Sequence, residues 1–186
     1  MPVRSRSSTV LEIRISIKHI APPIWRLVLV RSTASLADLH TVIQEAFGWQ
    51  NYHLYNFTHG DRKFGRLGGN LDFEDSARMT LQRLGLTAGD TIEYWYDFGD
   101  DWYHEVSIVA TRRADPEAFY PRCIDGARAG PPEDCGGAPG YDDLLAVLGN
   151  PAHERFAEMT AWAGSHFNPE TFDLRATNRI LELAFS

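Results

Sequence analysis

Cysteine is scarce in this chain. Cys123 and Cys135 are the only two, too few for the disulfide framework that staples small secreted folds. They lie twelve residues apart, which leaves open a reduced pair, a single bridge or part of a metal site. Basic charge is also short: 18 Lys and Arg stand against 25 Asp and Glu, a net charge of −7. That balance opposes a nucleic-acid partner unless basic residues segregate onto one face. No apolar run approaches the ~20 residues that span a bilayer, and Arg4 and Arg6 are not followed by the apolar stretch of a secretory signal. The expectation is a cytoplasmic protein without membrane contact. Internal repeats and low-complexity tracts are missing too, which excludes solenoids and tails. Two familiar strings lack the partners that would give them meaning. Asp97-Phe98-Gly99 stands without the other kinase signatures, and the glycines of residues 65–70 come without the lysine and hydroxyl of a phosphate loop.

What is present is an ordinary globular composition, 44% hydrophobic and 23% charged, over 186 residues, enough for one well-buried core. Residues 1–8 read as a flexible N-terminal arm, and 9–186 as a single α+β domain. Residues 10–17 alternate, with Leu11, Ile13, Ile15 and Ile17 on one face of a strand. After Pro22-Pro23, residues 24–30 form a second strand, expected to pair with the first as an antiparallel hairpin. Ser35 caps a helix whose stripe is Leu36, Leu39, Val42, Ile43, Ala46 and Phe47, with Gly48 placed to end it. Residues 53–58 and 63–64 flank a turn at His59-Gly60-Asp61 and read as two short strands. Residues 65–78 read as a loop, 80–86 as a helical turn, and a further strand begins at Thr91. A hairpin, a helix, two strands, a helical turn and a strand is the element order of a β-grasp, or ubiquitin-like, mixed sheet with one packed helix, spanning 9–110. Residues 111–140 are rich in proline and glycine and read as a loop. Residues 141–186 read as a helical C-terminal part, with helices over about 141–148, 153–163 and 172–183.

The most chemically loaded stretch is 92–108, read as an aromatic β-hairpin with Gly99 and Asp100 as a type II′ turn. In that register Tyr96 faces Tyr103 and Trp95 faces His104. Trp95, Asp97, Trp102 and His104 then share one face, while Tyr96 and Tyr103 share the other.

These residues resemble the plasmid pRiA4b ORF-3-like family, also described as transposon-passenger proteins. The resemblance rests on Pro22-Pro23-Ile24-Trp25-Arg26, Leu39-His40, Ala46-Phe47-Gly48-Trp49, His53-Leu54, residues 96–102 with His104, Pro131-Pro132-Glu133-Asp134, Gly136-Gly137 and Gly140-Tyr141. Trp162 and Phe167-Asn168-Pro169-Glu170-Thr171-Phe172 look like its closing segment. The resemblance implies an association with mobile elements but no agreed activity or catalytic residues. Some relatives carry a cysteine where this chain has Gly130, a departure that counts against a shared cysteine-metal site.

Three constellations carry candidate chemistry. Asp97, Asp100, Asp101, His104, Glu133 and Asp134 would hold a divalent metal or activate water if the 111–140 segment folds back over the hairpin; the plainer alternative is turn and loop acids satisfied by backbone. Cys123 and Cys135 are candidate thiol ligands, against two free thiols acting as small hydrophobes. Trp95, Trp102, Tyr96 and Tyr103 form a candidate aromatic recognition surface, against core packing. His53 is set with the scattered surface or hydrogen-bonded histidines. The leading expectation is a soluble binding or interaction module for an unknown protein or small-molecule ligand. The alternatives are a metal-dependent hydrolase and a DNA-associated accessory protein.

Overall fold

The computed structural model describes residues 9–68 and 72–186; the expected arm at 1–8 lies outside the described residues. The chain is α+β, built on one mixed eight-stranded sheet with five helices among the described residues. β1 (Thr9–Ile17) and β2 (Trp25–Arg31) form the expected antiparallel hairpin, with Leu11 opposite Val30 and Ile15 opposite Arg26. α1 (Leu36–Phe47) follows. Ser35 and Asp38 make a reciprocal capping box at its start, and Gly48 ends it at φ 79°. β3 (Tyr55–His59), β4 (Arg62–Gly65) and the two-residue β5 (Glu74–Asp75) build one flank of the sheet. α2 (Leu81–Leu84) is a single turn capped by Thr80. β6 (Thr91–Tyr96), β7 (Trp102–Arg113) and β8 (Arg122–Ala127) complete the sheet in the order β5-β4-β3-β6-β7-β1-β2-β8. The β4–β5 pair is parallel and the other pairs are antiparallel.

The core follows from the two periodicities. Ile13 and Ile15 of β1 and Leu36, Leu39 and Ile43 of α1 are fully buried in one cluster with Phe57 and Tyr94. Each such side chain contributes about 1.5–3 kcal/mol through area removed from water. α3 (Gly137–Leu148), α4 (Phe156–Ala163) and α5 (Leu174–Ala184) form the helical C-terminal part, and α5 lies against α1 and β8. Asn178 of α5 covers the outer edge of the sheet. Its amide accepts from the Cys123 N–H at 2.8 Å and donates to the Cys123 carbonyl at 2.9 Å, which blunts an edge that would otherwise template another strand.

Three expectations are corrected. The hairpin turn is not Gly99-Asp100. Tyr96 pairs with Trp102, Trp95 with Tyr103 and Tyr94 with His104, so the loop is residues 97–101. Asp97 and Asp101 take the left-handed conformation, each at φ 55°, and Gly99 does not. The Gly99 N–H donates to Asp97 Oδ1 at 2.9 Å, and the Asp101 N–H donates to the Asp97 carbonyl at 2.7 Å. A short side-chain acceptor bonding to backbone two residues on lets aspartate occupy that region. The one-residue slip exchanges faces for one arm relative to the other: Trp102 is buried with Tyr96, and Trp95 lies outside with Tyr103. The segment 111–140 is also not loop throughout, because β7 runs to Arg113 and β8 adds to β2. α3 opens four residues earlier than expected, with Gly137 and Pro139 in its first turn, where a missing N–H is tolerated.

Candidate functional site

Three loops converge at one end of the sheet: residues 48–54 after α1, residues 97–101 between β6 and β7, and residues 131–136 before α3. The first is tied down by a buried polar network. His40 Nε2 lies 2.7 Å from Asn51 Oδ1 and Nδ1 lies 2.7 Å from the Tyr94 hydroxyl, which also accepts from Gln44 Nε2 at 3.0 Å. Gln44 Oε1 in turn accepts the Asn51 N–H at 3.0 Å. These partners fit a neutral imidazole that donates from Nε2 and accepts at Nδ1. Burial pushes the His40 pKa down to about 4, with the Asn51 bond opposing the shift.

The third loop is held against the first two. The Trp49 indole N–H donates to the Pro131 carbonyl at 2.9 Å, and the Gln50 N–H donates to Glu133 Oε2 at 3.2 Å. The Tyr96 hydroxyl donates to Glu133 Oε1. Asp100 Oδ2 accepts the Gly136 N–H at 3.0 Å. Close backbone approach requires glycine at Gly130 and Gly137, as it does at Gly140 against the Cys135 carbonyl oxygen. A Cβ on Gly130 would stand 2.0 Å from the Phe47 carbonyl oxygen, and one on Gly137 would stand 2.1 Å from that of Asp100. Gly130, where the resemblance leads one to expect a cysteine in some relatives, is in this chain a contact without room for a side chain.

At the meeting point His53, Asp97 and Asp134 each offer one ligand atom, all within 4.8 Å of one another. His53 Nε2 is 3.1 Å from Asp134 Oδ1 and 3.6 Å from Asp97 Oδ2. Although within ion-pair distance, Nε2 is buried without a hydrogen-bond partner. Asp97 is itself buried and uses Oδ1 for the Gly99 amide, which leaves Oδ2 toward the histidine. Asp134 sits at φ 58° with an exposed side chain, so the group opens to solvent on that side. Two carboxylates and an imidazole gathered this closely match the ligand types of a divalent transition ion.

The remaining expected site residues are placed differently. Glu133 adjoins the group but is engaged with Tyr96 and Gln50. Asp100 serves as the clasp on Gly136, and Asp101 accepts from the Trp95 indole at 3.0 Å. His104 does not join the hairpin acids. It is fully buried among Phe47, Trp49 and Tyr94, with Nδ1 3.1 Å from the Trp102 carbonyl and Nε2 without a partner. Burial drives its pKa down to about 3, opposed by backbone bonds, so it is a neutral core imidazole. The register correction explains the placement, since His104 stands opposite Tyr94 on the inner face.

Cys123 and Cys135 are free thiols, the first buried on β8 and the second beside Asp134. Burial, with Asp100 and Asp134 nearby, pushes the Cys135 thiol up to about 12. Neither cysteine belongs to a metal-ligating group among the described residues. The four expected aromatic residues divide. Tyr96 and Trp102 pack on Trp49, with ring centroids 5.0 and 5.8 Å away, while Trp95 and Tyr103 stack outside at 5.3 Å. The sequence reads His53 as the first residue of a strand over 53–58, whereas β3 begins at Tyr55 and His53 lies in the preceding loop; its one signal in the sequence is the His53-Leu54 block.

Comparison with known proteins agrees with this architecture. A family model described as plasmid pRiA4b ORF-3-like protein matches residues 9–176. An uncharacterized protein, y4hQ, from Sinorhizobium fredii (strain NBRC 101917 / NGR234) is 35% identical over 161 residues, covering 85% of this chain and 82% of that one. The crystal structure of MM3350, a protein of unknown function from Methanosarcina mazei Go1, superposes with a TM-score of 0.83 at 33% identity. It covers 90% of this chain and 96% of its own. No helix among the described residues is long and apolar enough to cross a membrane.

Proposed function

We propose, for a chain that belongs to the plasmid pRiA4b ORF-3-like family, that it is a soluble, cytoplasmic binding module whose working centre is a divalent transition ion held by His53, Asp97 and Asp134. The family name is the ground for placing it with mobile elements. The observation that carries the reading is the convergence of those three ligand atoms within 4.8 Å. Bonds of about 2.0–2.2 Å to nitrogen and oxygen put neighbouring ligand atoms roughly 3–3.5 Å apart, and the separations of 3.1 and 3.6 Å at His53 Nε2 are close to that. Asp134 closes the third side by rotating an exposed side chain. The partnerless Nε2 gains a bond, and the mutual repulsion of two carboxylates is relieved.

Three protein ligands and an open side are also the arrangement that leaves an ion free to polarise a bound molecule. Metal-dependent hydrolysis is accordingly the second reading, favoured by the Glu133 carboxylate beside the group. In both readings the core is a β-grasp sheet in which β7 is inserted between β6 and β1, an architecture that hosts binding and catalysis alike.

The test is metal content after equilibration with zinc, manganese or magnesium and removal of free ion. Wild type is expected to retain close to one equivalent of a transition ion. His53→Ala and Asp97→Ala should bind at least about 100-fold more weakly, since even supporting residues around a metal are worth 10–100-fold. His104→Phe should retain the ion. Equal retention by wild type and the His53 and Asp97 variants, or none by wild type, overturns the proposal.

A further inference from the structure

A cleft of about 240 Å³ opens between α3 and α4, and Asp134 forms part of its wall. Cys135, Leu144, Met159 and Trp162 give it an apolar side, set against Gly140, Asp143 and Arg155. Trp162 is 47% exposed and α4 has no buried residue. A half-exposed indole on a lightly packed helix is an anchor of the kind that binding sites use. The two charges at the rim cancel, because Arg155 Nη2 holds both oxygens of Asp143 at 2.8 and 2.9 Å. The side lined by Leu144, Met159 and Trp162 therefore suits an uncharged apolar group, and Asp134 is shared between the cleft and the proposed ion site.

We infer that the α3–α4 cleft is the specificity pocket of the His53, Asp97 and Asp134 centre, taking the apolar or aromatic end of a small molecule whose other end coordinates the ion. The inference rests on the metal reading above. It assigns the ligand class: a compact molecule with a metal-binding oxygen group at one end and a hydrocarbon or aryl group at the other. The cavity volume of about 240 Å³ lies just below the ~300–1,000 Å³ that small-molecule sites occupy, so it suits one ring rather than a long chain.

The experiment uses the full chain loaded with zinc and compares two hydroxamates by calorimetry. Acetohydroxamate carries the coordinating group alone, and benzohydroxamate adds one phenyl ring. Benzohydroxamate is expected to bind at least about tenfold more tightly, the discrimination that a small apolar group draws from an apolar pocket. Trp162→Ala should bring the two within about twofold without changing zinc content or acetohydroxamate affinity, and Met159→Ala should give an intermediate loss. Equal binding of the two compounds to wild type, or a phenyl preference that survives Trp162→Ala, overturns the pocket while leaving the ion site standing. Failure of the wild type to hold zinc overturns both.

Discussion

Between pH 8 and pH 5 the folded protein is expected to lose about 4 kcal/mol of stability, about 2 kcal/mol from each of two buried histidines. His40 and His104 have folded pKa values near 4 and 3 against an unfolded value of 6.5. The unfolded chain thus binds more protons throughout this window, and stability must fall as pH falls. The contribution is complete above pH 6.5 and is lost progressively below it, down to the folded values. The cause is burial in each case. His40 is desolvated in the core against the opposing pull of its Asn51 bond, and His104 has no partner at Nε2 that would favour a charge. Urea unfolding at half-unit pH steps measures the slope, and His104→Phe should remove roughly half of it. For a domain with a typical total of about 5–15 kcal/mol, the effect is easily seen. A flat profile would show that neither imidazole is shielded as described.

Gly137→Ala should separate the candidate site from the fold. Gly137 has φ 67°, and an added Cβ would meet the Asp100 carbonyl oxygen at 2.1 Å. The left-handed conformation alone costs a non-glycine residue about 1–2 kcal/mol. The contact is backbone, so relief requires the start of α3 to withdraw from the hairpin loop. That movement carries Asp134 away from Asp97, and transition-ion affinity should fall at least about tenfold while the sheet and its cooperative unfolding persist. Gly48→Ala is the control. It has φ 79° but nothing within 4 Å of an added Cβ, so it should cost about 1 kcal/mol and leave metal affinity unchanged. Binding measured on both variants distinguishes a displaced loop from general destabilisation.

The parts of the fold that were legible in the sequence are those governed by local rules. The alternation of Leu11, Ile13, Ile15 and Ile17, the Ser35 cap and the Gly48 stop each state a local geometry, and the structure has a strand, a helix start and a helix end there. β8 was not legible, because Arg-Cys-Ile-Asp-Gly-Ala neither alternates nor concentrates β-branched residues. Its pairing is fixed by β2 and by Asn178, which lies 55 positions away. The hairpin register failed for a specific reason. Turn chemistry assigns positive φ to Gly99, whereas Asp97 and Asp101 adopt it with their own side-chain and backbone bonds.

That single slip reshaped the expected site. It placed His104 beside Asp97, when the inner face instead holds it under Trp49. The acids Asp97 and Asp134 stood out through their hairpin and proline-fixed contexts. His53 did not, since what brings it to them is the Gln44, Asn51 and Glu133 bonding of a loop with no periodic signature. The aromatic residues divided for the same reason as the histidine, by face rather than by type.

The most direct test of the account is to follow the histidine imidazole nitrogens by NMR while zinc is added to the apo protein. The account predicts that His53 Nε2 changes its resonance and saturates near one equivalent, while His40 and His104 keep the signatures of neutral rings. A response at His104, or no change at His53, would contradict it.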